Sequence, residues 1–243
     1  LHLGHSVLLL KLKQFQKLGH QIIFLIGDFT ARVGDPTERT TSRPPLSVEE
    51  IRENIKNYKQ QASKVLDINK VEIEYNAKWW DKMPLRDMMI LASQVTYSQV
   101  SQRADFKKRL LEDKDFTLEE FMYPILQGYD SVVLKSNLEI GGTDQKFNML
   151  MGRRIQKKYK QAPQDIMTLK LLVGLDGEKK MSKSLKNFIG INESPQSQYG
   201  KIMSIPDKLI PDYFELCTNV PLIEIKGIHP REAKAKLARE IVT

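Results

Sequence analysis

The sequence predicts an α/β fold of βαβ units followed by a helical segment, and three observations predict it. An amphipathic stretch from Ser6 to Leu18 is stopped by Gly19 and followed at once by the apolar run QIIFLIG. Further short apolar or alternating runs, VEIEY and SVVL, are separated by long helix-forming stretches. After about Gly190 the composition turns polar and helical. Helices joined to buried strands by tight turns belong to βαβ units, whose strands lie parallel and are covered on both faces. The strand expected before the first helix is absent, so the opening reads as a truncated β-α-β.

Each element has its own local reason. Val7, Leu8, Leu10, Leu12, Phe15 and Leu18 recur at three- and four-residue spacings, the period of a helix with one buried face. Ser47 with Glu50 forms a capping box, which predicts a helix from Ser47 to about Leu66. VEIEY alternates apolar and acidic residues, as a half-exposed strand does. Pro84 to about Leu111 reads as mostly helical, and Thr117 with Glu120 caps a further helix through FMYPILQGYD. SVVL reads as a strand, and GGTDQKFNMLMGRRIQKKY turns through two glycines into a helix with a basic end. Around LLVGLDGEKKMSKS a strand gives way to a loop made mobile by Gly174 and Gly177. SPQSQYGKIMSIPDKLIPDYFELC and HPREAKAKLAREIV then form a second, helical domain that reads as cut short at Thr243.

Composition narrows the function classes. With 243 residues and 41% hydrophobic content the chain can bury one sizeable core, in one or two domains. Lysine and arginine exceed aspartate and glutamate by 38 to 30, a net +8 that favours an anionic partner such as a nucleotide or RNA. The single Cys217 excludes an internal disulfide framework and a cysteine zinc site, and is expected to be a buried, unreactive thiol in a cytosolic setting. No apolar run approaches the roughly 20 residues needed to cross a bilayer.

Two motifs carry phosphate chemistry. His2-Leu3-Gly4-His5 stands at a helix start, where unpaired N–H groups face an anion and a glycine lets a nucleotide approach the backbone. Two histidines there are, taken alone, as compatible with simple solvation. Lys180-Met181-Ser182-Lys183-Ser184 places two lysines among small serines, a cationic clamp for the phosphates of a nucleotide and for a departing pyrophosphate. A basic loop alone is usually a solvated one, but the two motifs occur in one chain in the order nucleotide activation requires.

These motifs resemble the HIGH and KMSKS signatures of the class I aminoacyl-tRNA synthetases. The resemblance implies a Rossmann-type doubly wound parallel sheet, the HUP-like core of that class, here with its first strand missing. It also implies ATP as substrate, Mg²⁺ held through the phosphates, and an aminoacyl-adenylate passed on to tRNA. On a helix, Tyr123, Gln127 and Asp130 would stand at i, i+4 and i+7, lining one face while Phe121, Ile125 and Leu126 point elsewhere. An ordinary amphipathic helix with a wet face gives the same spacing. The tyrosyl enzymes of the class carry this Tyr-x-x-x-Gln-x-x-Asp pattern and a Gly-Gly-Ser/Thr-Asp-Gln turn, matched by Gly141-Gly142-Thr143-Asp144-Gln145.

By that likeness Asp130 accepts the phenolic hydrogen of L-tyrosine, Tyr123 and Gln127 meet its ammonium end, and Gln145 faces the substrate. Thr30 and Asp35, in GDFTARVGDPT, contact the amino acid, Asp35 through its ammonium. Gly4, Gly142, Asp144, Lys183 and Ser184 bind ATP, with Gly142 and Asp144 at the ribose. A site built to bond a hydroxyl rejects phenylalanine, a rule for which tyrosyl-tRNA synthetases are themselves the worked example. His2, His5, Lys180 and Lys183 serve the phosphates while the ionised carboxylate of tyrosine attacks phosphorus, so positioning and charge stabilisation supply the catalysis. The tyrosyl group then passes to a terminal ribose hydroxyl of tRNA(Tyr). The basic run Arg153, Arg154, Lys157 and Lys158 reads as an RNA guide or as a solvated helix face. Residues 1–190 are expected to form the catalytic domain, with an insertion at about 80–122 that makes a homodimer interface. Residues 191–243 would begin an α-helical anticodon-binding domain.

The chain departs from the family pattern in three places. It lacks the strand before the HIGH motif and the rest of the C-terminal region, so it reads as a fragment. Glu38 stands where the family usually has glycine, in a loop leading to Arg39 and Arg43. Two readings compete: a small nucleotidyltransferase sharing H-x-G-H, against which KMSKS and the Tyr-Gln-Asp pattern argue, and a non-catalytic RNA-binding module.

Overall fold

The first helix, α1 (Leu3–Lys17), begins within the H-x-G-H motif and has His2 as its N-cap, so the motif is itself the helix start. The computed structural model describes residues 1–35 and 57–242. The Ser47–Glu50 capping box, Glu38, Arg39 and Arg43 lie outside the described residues. After α1 come β1 (Ile22–Ile26), the single turn α2 (Thr30–Val33), helical residues 57–62 (α3) and β2 (Val71–Tyr75). A run of helices follows: α4 (Ala77–Trp80), α5 (Leu85–Ser93), α6 (Tyr97–Val100), α7 (Ala104–Leu111) and α8 (Leu118–Leu134). Then come β3 (Leu138–Gly142), α9 (Lys146–Lys158) and β4 (Asp165–Leu169). The last helices are α10 (Pro195–Ser204), α11 (Ile210–Cys217) and α12 (Pro230–Val242).

The strands pair as β1–β2 and β3–β4. Asn76, just past the end of β2, donates its N–H to Ile26 at the end of β1, and Asp165 at the start of β4 donates to Asn137 just before β3. Strands whose like ends are bonded run parallel, which is the βαβ signature expected. The chain divides into two compact units. The first holds Leu1–Ile22, Asn57–Val71 and Leu169–Thr243; the second holds Ile23–Lys56 and Glu72–Thr168.

In the first unit α1 packs against α11, and Leu3 and Val7 join Leu172, Met181, Ile189, Ile202, Tyr213, Phe214 and Leu237 in one core. Each such side chain contributes about 1.5–3 kcal/mol by leaving water. The methionine of KMSKS is thus a core residue, which anchors the loop that carries both lysines. In the second unit Phe106, Ile125, Leu126, Val132, Met151 and Ile155 form the core, and the Phe106, Phe116 and Phe121 rings stack beside it. Helices α8 and α9 cross closely at Gly128 and Gly152. A Cβ on Gly128 would meet Ile155 Cδ1 at 2.8 Å, and one on Gly152 would meet Ser131 Oγ at 2.7 Å.

Three expectations are corrected. SVVL is the last turn of α8 rather than a strand, and the helix stops only at Lys135, with φ +49°. A short apolar run does not distinguish helix from strand, and here Val132 completes the buried face that Ile125 and Leu126 begin. Gly141 and Gly142 end a strand instead of making the turn, which falls on Thr143–Gln145. The strand placed near LLV ends upstream at Leu169, and Val173 makes only an isolated bridge to Lys180.

Candidate functional site

In the first unit the imidazoles of His2 and His5 lie with centroids 3.9 Å apart, and His2 is buried. Burial, then the charges of neighbouring groups, Lys183 among them, push His2 down to about 3 and His5 to about 4. Both rings are therefore neutral near pH 7. His5 Nδ1 accepts from the His2 N–H at 3.2 Å, which leaves the His5 proton on Nε2. His2 Nδ1 is buried without a hydrogen-bond partner. Gly4 makes room for the pair: a Cβ there would sit 2.9 Å from His2 Cε1 and 3.7 Å from Met181 Cβ. The H-x-G-H and K-M-S-K-S motifs thus meet within one unit.

The K-M-S-K-S loop is held from behind by Asn187, a residue that no motif in the sequence marks. Asn187 Oδ1 accepts from the Ser182 N–H at 2.8 Å, and its Nδ2 donates to Lys180 O at 3.1 Å and to Asp176 Oδ2 at 2.7 Å. Gly174 serves space, since a Cβ there would lie 2.3 Å from Asn187 Nδ2. Met181 N–H donates to Leu172 O at 2.8 Å, Ser182 Oγ and Ser184 Oγ lie 2.8 Å apart, and Lys183 is exposed. Neutral imidazole N–H groups beside an exposed ammonium suit phosphate oxygens.

In the second unit α8 carries Tyr123, Gln127 and Asp130 in the register anticipated. Asp130 is buried, and its Oδ1 accepts from both Trp79 Nε1 and Trp80 Nε1 at 2.8 Å. Its Oδ2 accepts from Asn76 Nδ2 at 3.2 Å. Burial outweighs these donors and raises the carboxyl to about 6, still largely ionised at pH 7. A carboxylate has about four acceptor positions, so three fixed donors leave one, on Oδ2, for an incoming hydroxyl. Asn76, fully buried, also donates to Thr30 Oγ1 at 3.1 Å and accepts from the Phe29 N–H at 2.8 Å, tying Thr30 to Asp130.

Asp35 accepts from Gln145 Nε2 at 2.9 Å and pairs with Arg103 at 3.4 Å. Gln145 is therefore oriented by Asp35. Gly142 is buried at the end of β3, and Asp144 follows it in the turn. Asn148 donates to Gln127 and Gln145, and Glu139 accepts from Gln127, so with Asn76, Trp79, Trp80 and Arg103 six further residues build these networks, all missed from sequence. The adjacent tryptophans after β2 were the available signal, because buried indole N–H groups need acceptors. Arg153 pairs with Asp165 at 3.2 Å and reaches Gln164 O, so it braces β4, while Lys157 and Lys158 are exposed.

Parallel strands with crossover helices, an imidazole pair at a helix start and a lysine-bearing loop anchored beside it define an α/β protein of the class I synthetase type. Residues 1–243 match the family described as tRNA synthetases class I (W and Y). The chain belongs to that family. Among curated relatives, the tyrosine-tRNA ligase of Carboxydothermus hydrogenoformans is 51% identical over 252 residues, covering 100% of this chain and 61% of that protein. That of Haemophilus ducreyi is 50% identical, covering 100% of this chain and 63% of that protein. The chain thus spans somewhat over three-fifths of the length of these relatives. Among solved structures, a C-terminally truncated mitochondrial tyrosyl-tRNA synthetase of Coccidioides posadasii superposes with a TM-score of 0.71 at 27% identity, covering 100% of this chain and 75% of that one. The Archaeoglobus fulgidus enzyme complexed with L-tyrosine, at 22% identity and TM-score 0.79 over 98% of this chain and 82% of that one, shares the fold. The fold is the Rossmann-type α/β core of the class.

Proposed function

We propose that this chain is the catalytic portion of a tyrosine-tRNA ligase, which joins L-tyrosine to ATP as tyrosyl-adenylate, releases pyrophosphate and passes the tyrosyl group to tRNA(Tyr). The observation that carries the reading is the Asp130 carboxylate, buried and fixed by Trp79, Trp80 and Asn76 with one acceptor position unfilled. Tyr123, Gln127 and Asp35 would hold the ammonium, and Thr30 and Gln145 would line the same amino-acid site. Gly142 and Asp144 would meet the ribose.

The tyrosine carboxylate is already ionised at neutral pH, so its attack on the α-phosphorus needs no general base. His2 and His5, neutral, would donate N–H bonds to phosphate oxygens as charge develops there, and Gly4 keeps their rings in place. Lys180, Lys183 and Ser184 would bind the departing pyrophosphate, with Met181 and Asn187 holding their loop. Imidazole and ammonium donors suit an anion, so Mg²⁺ would enter on the phosphates, where it supplies charge neutralisation.

The helices after residue 190 would begin the anticodon-binding domain, and residues 1–190 the catalytic one. The insertion at about 80–122 would make a homodimer, supported by its exposed Leu85, Met89, Tyr97 and Leu111. Sedimentation of the chain as a monomer alone would remove that assignment. Among the described residues no helix is long and apolar enough to cross a membrane, and the proposed role places the protein in the cytoplasm. Tyrosine-dependent ATP–pyrophosphate exchange tests the central reading. Exchange supported equally by other amino acids would overturn it.

A further inference from the structure

Two carboxylates of the second unit, Asp35 and Glu139, stand at opposite ends of a chain of three side-chain amides. Glu139 Oε1 accepts from Gln127 Nε2 at 3.2 Å, and its Oε2 accepts from Ser131 Oγ at 3.3 Å and Gln164 Nε2 at 2.5 Å. Gln127 Oε1 accepts from Asn148 Nδ2 at 3.0 Å, which also donates to Gln145 Oε1 at 2.9 Å. Gln145 Nε2 donates to Asp35 Oδ2 at 2.9 Å.

An amide flip exchanges a donor for an acceptor, and only the bonding network decides its sense. Burial raises Glu139 while its donors Gln127, Gln164 and Ser131 oppose the shift, and an ionised carboxylate can only accept. Asp35 therefore fixes Gln145 with its nitrogen toward that carboxylate, and Glu139 does the same for Gln127. Both carbonyl oxygens must then face Asn148, which has to offer them its two N–H donors. Its Oδ1 is left as an acceptor without a partner, on a side chain that is 1% exposed.

We propose that Glu139 is a positioning residue for the amino-acid site: it locks Gln127 with its nitrogen on Glu139 and its carbonyl toward Asn148, and through Asn148 the lock is shared with Gln145. The inference rests on the proposed assignment of Gln127 and Asp35 to the substrate ammonium. That group is donor-only, so it requires the carbonyl of Gln127 and is repelled by its NH₂. Glu139 itself never touches substrate.

Replacing Glu139 by glutamine keeps the shape but leaves one acceptor oxygen where Gln127 Nε2 and Gln164 Nε2 each use one, so the two amides compete for it and the lock on Gln127 is weakened. Gln127 cannot flip freely, because Asn148 remains held by Gln145 and Asp35. In Glu139→Gln the KM for tyrosine in ATP–pyrophosphate exchange should rise about tenfold, with kcat and the KM for ATP within about twofold. Binding of 3-(4-hydroxyphenyl)propionate, which lacks the ammonium, should be unchanged. Equal losses for tyrosine and this analogue would show a general structural role and overturn the proposal. If Asp35→Asn leaves tyrosine affinity intact, the ammonium assignment itself fails. Weakening in Asp35→Asn with none in Glu139→Gln overturns the positioning role alone. Side-chain amide ¹⁵N NMR needs no activity: the Gln127 and Asn148 NH₂ resonances should both move in Glu139→Gln, and an unmoved Asn148 signal refutes the relay.

Discussion

Replacing Asp130 by asparagine removes a carboxyl that the fold holds far from its solution behaviour. In an unfolded chain it titrates near 3.8, and in the folded unit burial raises it to about 6 against the opposing donors Trp79, Asn76 and Trp80. Between those values the native state holds a proton that the unfolded chain has already released. Stability from this group is therefore fully present below about pH 4 and is lost as the pH rises through about 6, amounting to about 3 kcal/mol at pH 7. His2 and His5 slope the other way. Their lowered values withhold protons that the unfolded chain takes up below 6.5, so their contribution is lost as the pH falls. Comparing wild type with Asp130→Asn cancels every group but one. In urea unfolding from pH 4 to 8, the wild type minus variant difference should favour wild type by about 2 kcal/mol more at pH 4 than at pH 7. A carboxyl ¹³C titration should place Asp130 near 6 directly. A difference curve flat to within about 1 kcal/mol, or a carboxyl titrating near 4, would refute the reasoning that burial outweighs the indole and amide donors. At pH 7 the same variant should lose at least about tenfold in preference for tyrosine over phenylalanine, because the phenol no longer meets a charged acceptor.

Three further outcomes are expected. Lys183→Ala should slow adenylate formation far more than it weakens tyrosine binding, read by single-turnover kinetics, and equal losses in both would contradict a role at the leaving group. Asn187→Ala removes bonds to Ser182, Lys180 and Asp176 together, so thermal unfolding should show a loss of about 1–3 kcal/mol and pyrophosphate exchange should slow, with tyrosine affinity unchanged by calorimetry. Gly4→Ala places a methyl 2.9 Å from the His2 ring, so exchange should fall by roughly tenfold or more while circular dichroism stays native; full activity would mean that the imidazoles need no fixed position.

The features legible without coordinates were local. The helical period from Ser6 to Leu18, the capping box at Thr117 and Glu120, and the i, i+4, i+7 spacing of Tyr123, Gln127 and Asp130 each depend on neighbours a few residues away, and α1 and α8 realise them. The two signature motifs were legible for a related reason, since phosphate chemistry needs particular residue types in short order. SVVL was misread because four apolar residues satisfy a helix or a strand equally, and only the core around Ile125 and Val132 chooses.

Tertiary structure decided what each side chain is for. Asp130 as an acceptor with one position unfilled depends on two indoles some 50 residues away in sequence. The sense of the Gln127 and Gln145 amides depends on Glu139 and Asp35, and the neutral state of His2 and His5 depends first on burial and then on the positive groups around them. Hydrogen-bond direction and charge state belong to whatever surrounds a group in space, and that surrounding exists only once distant segments have packed.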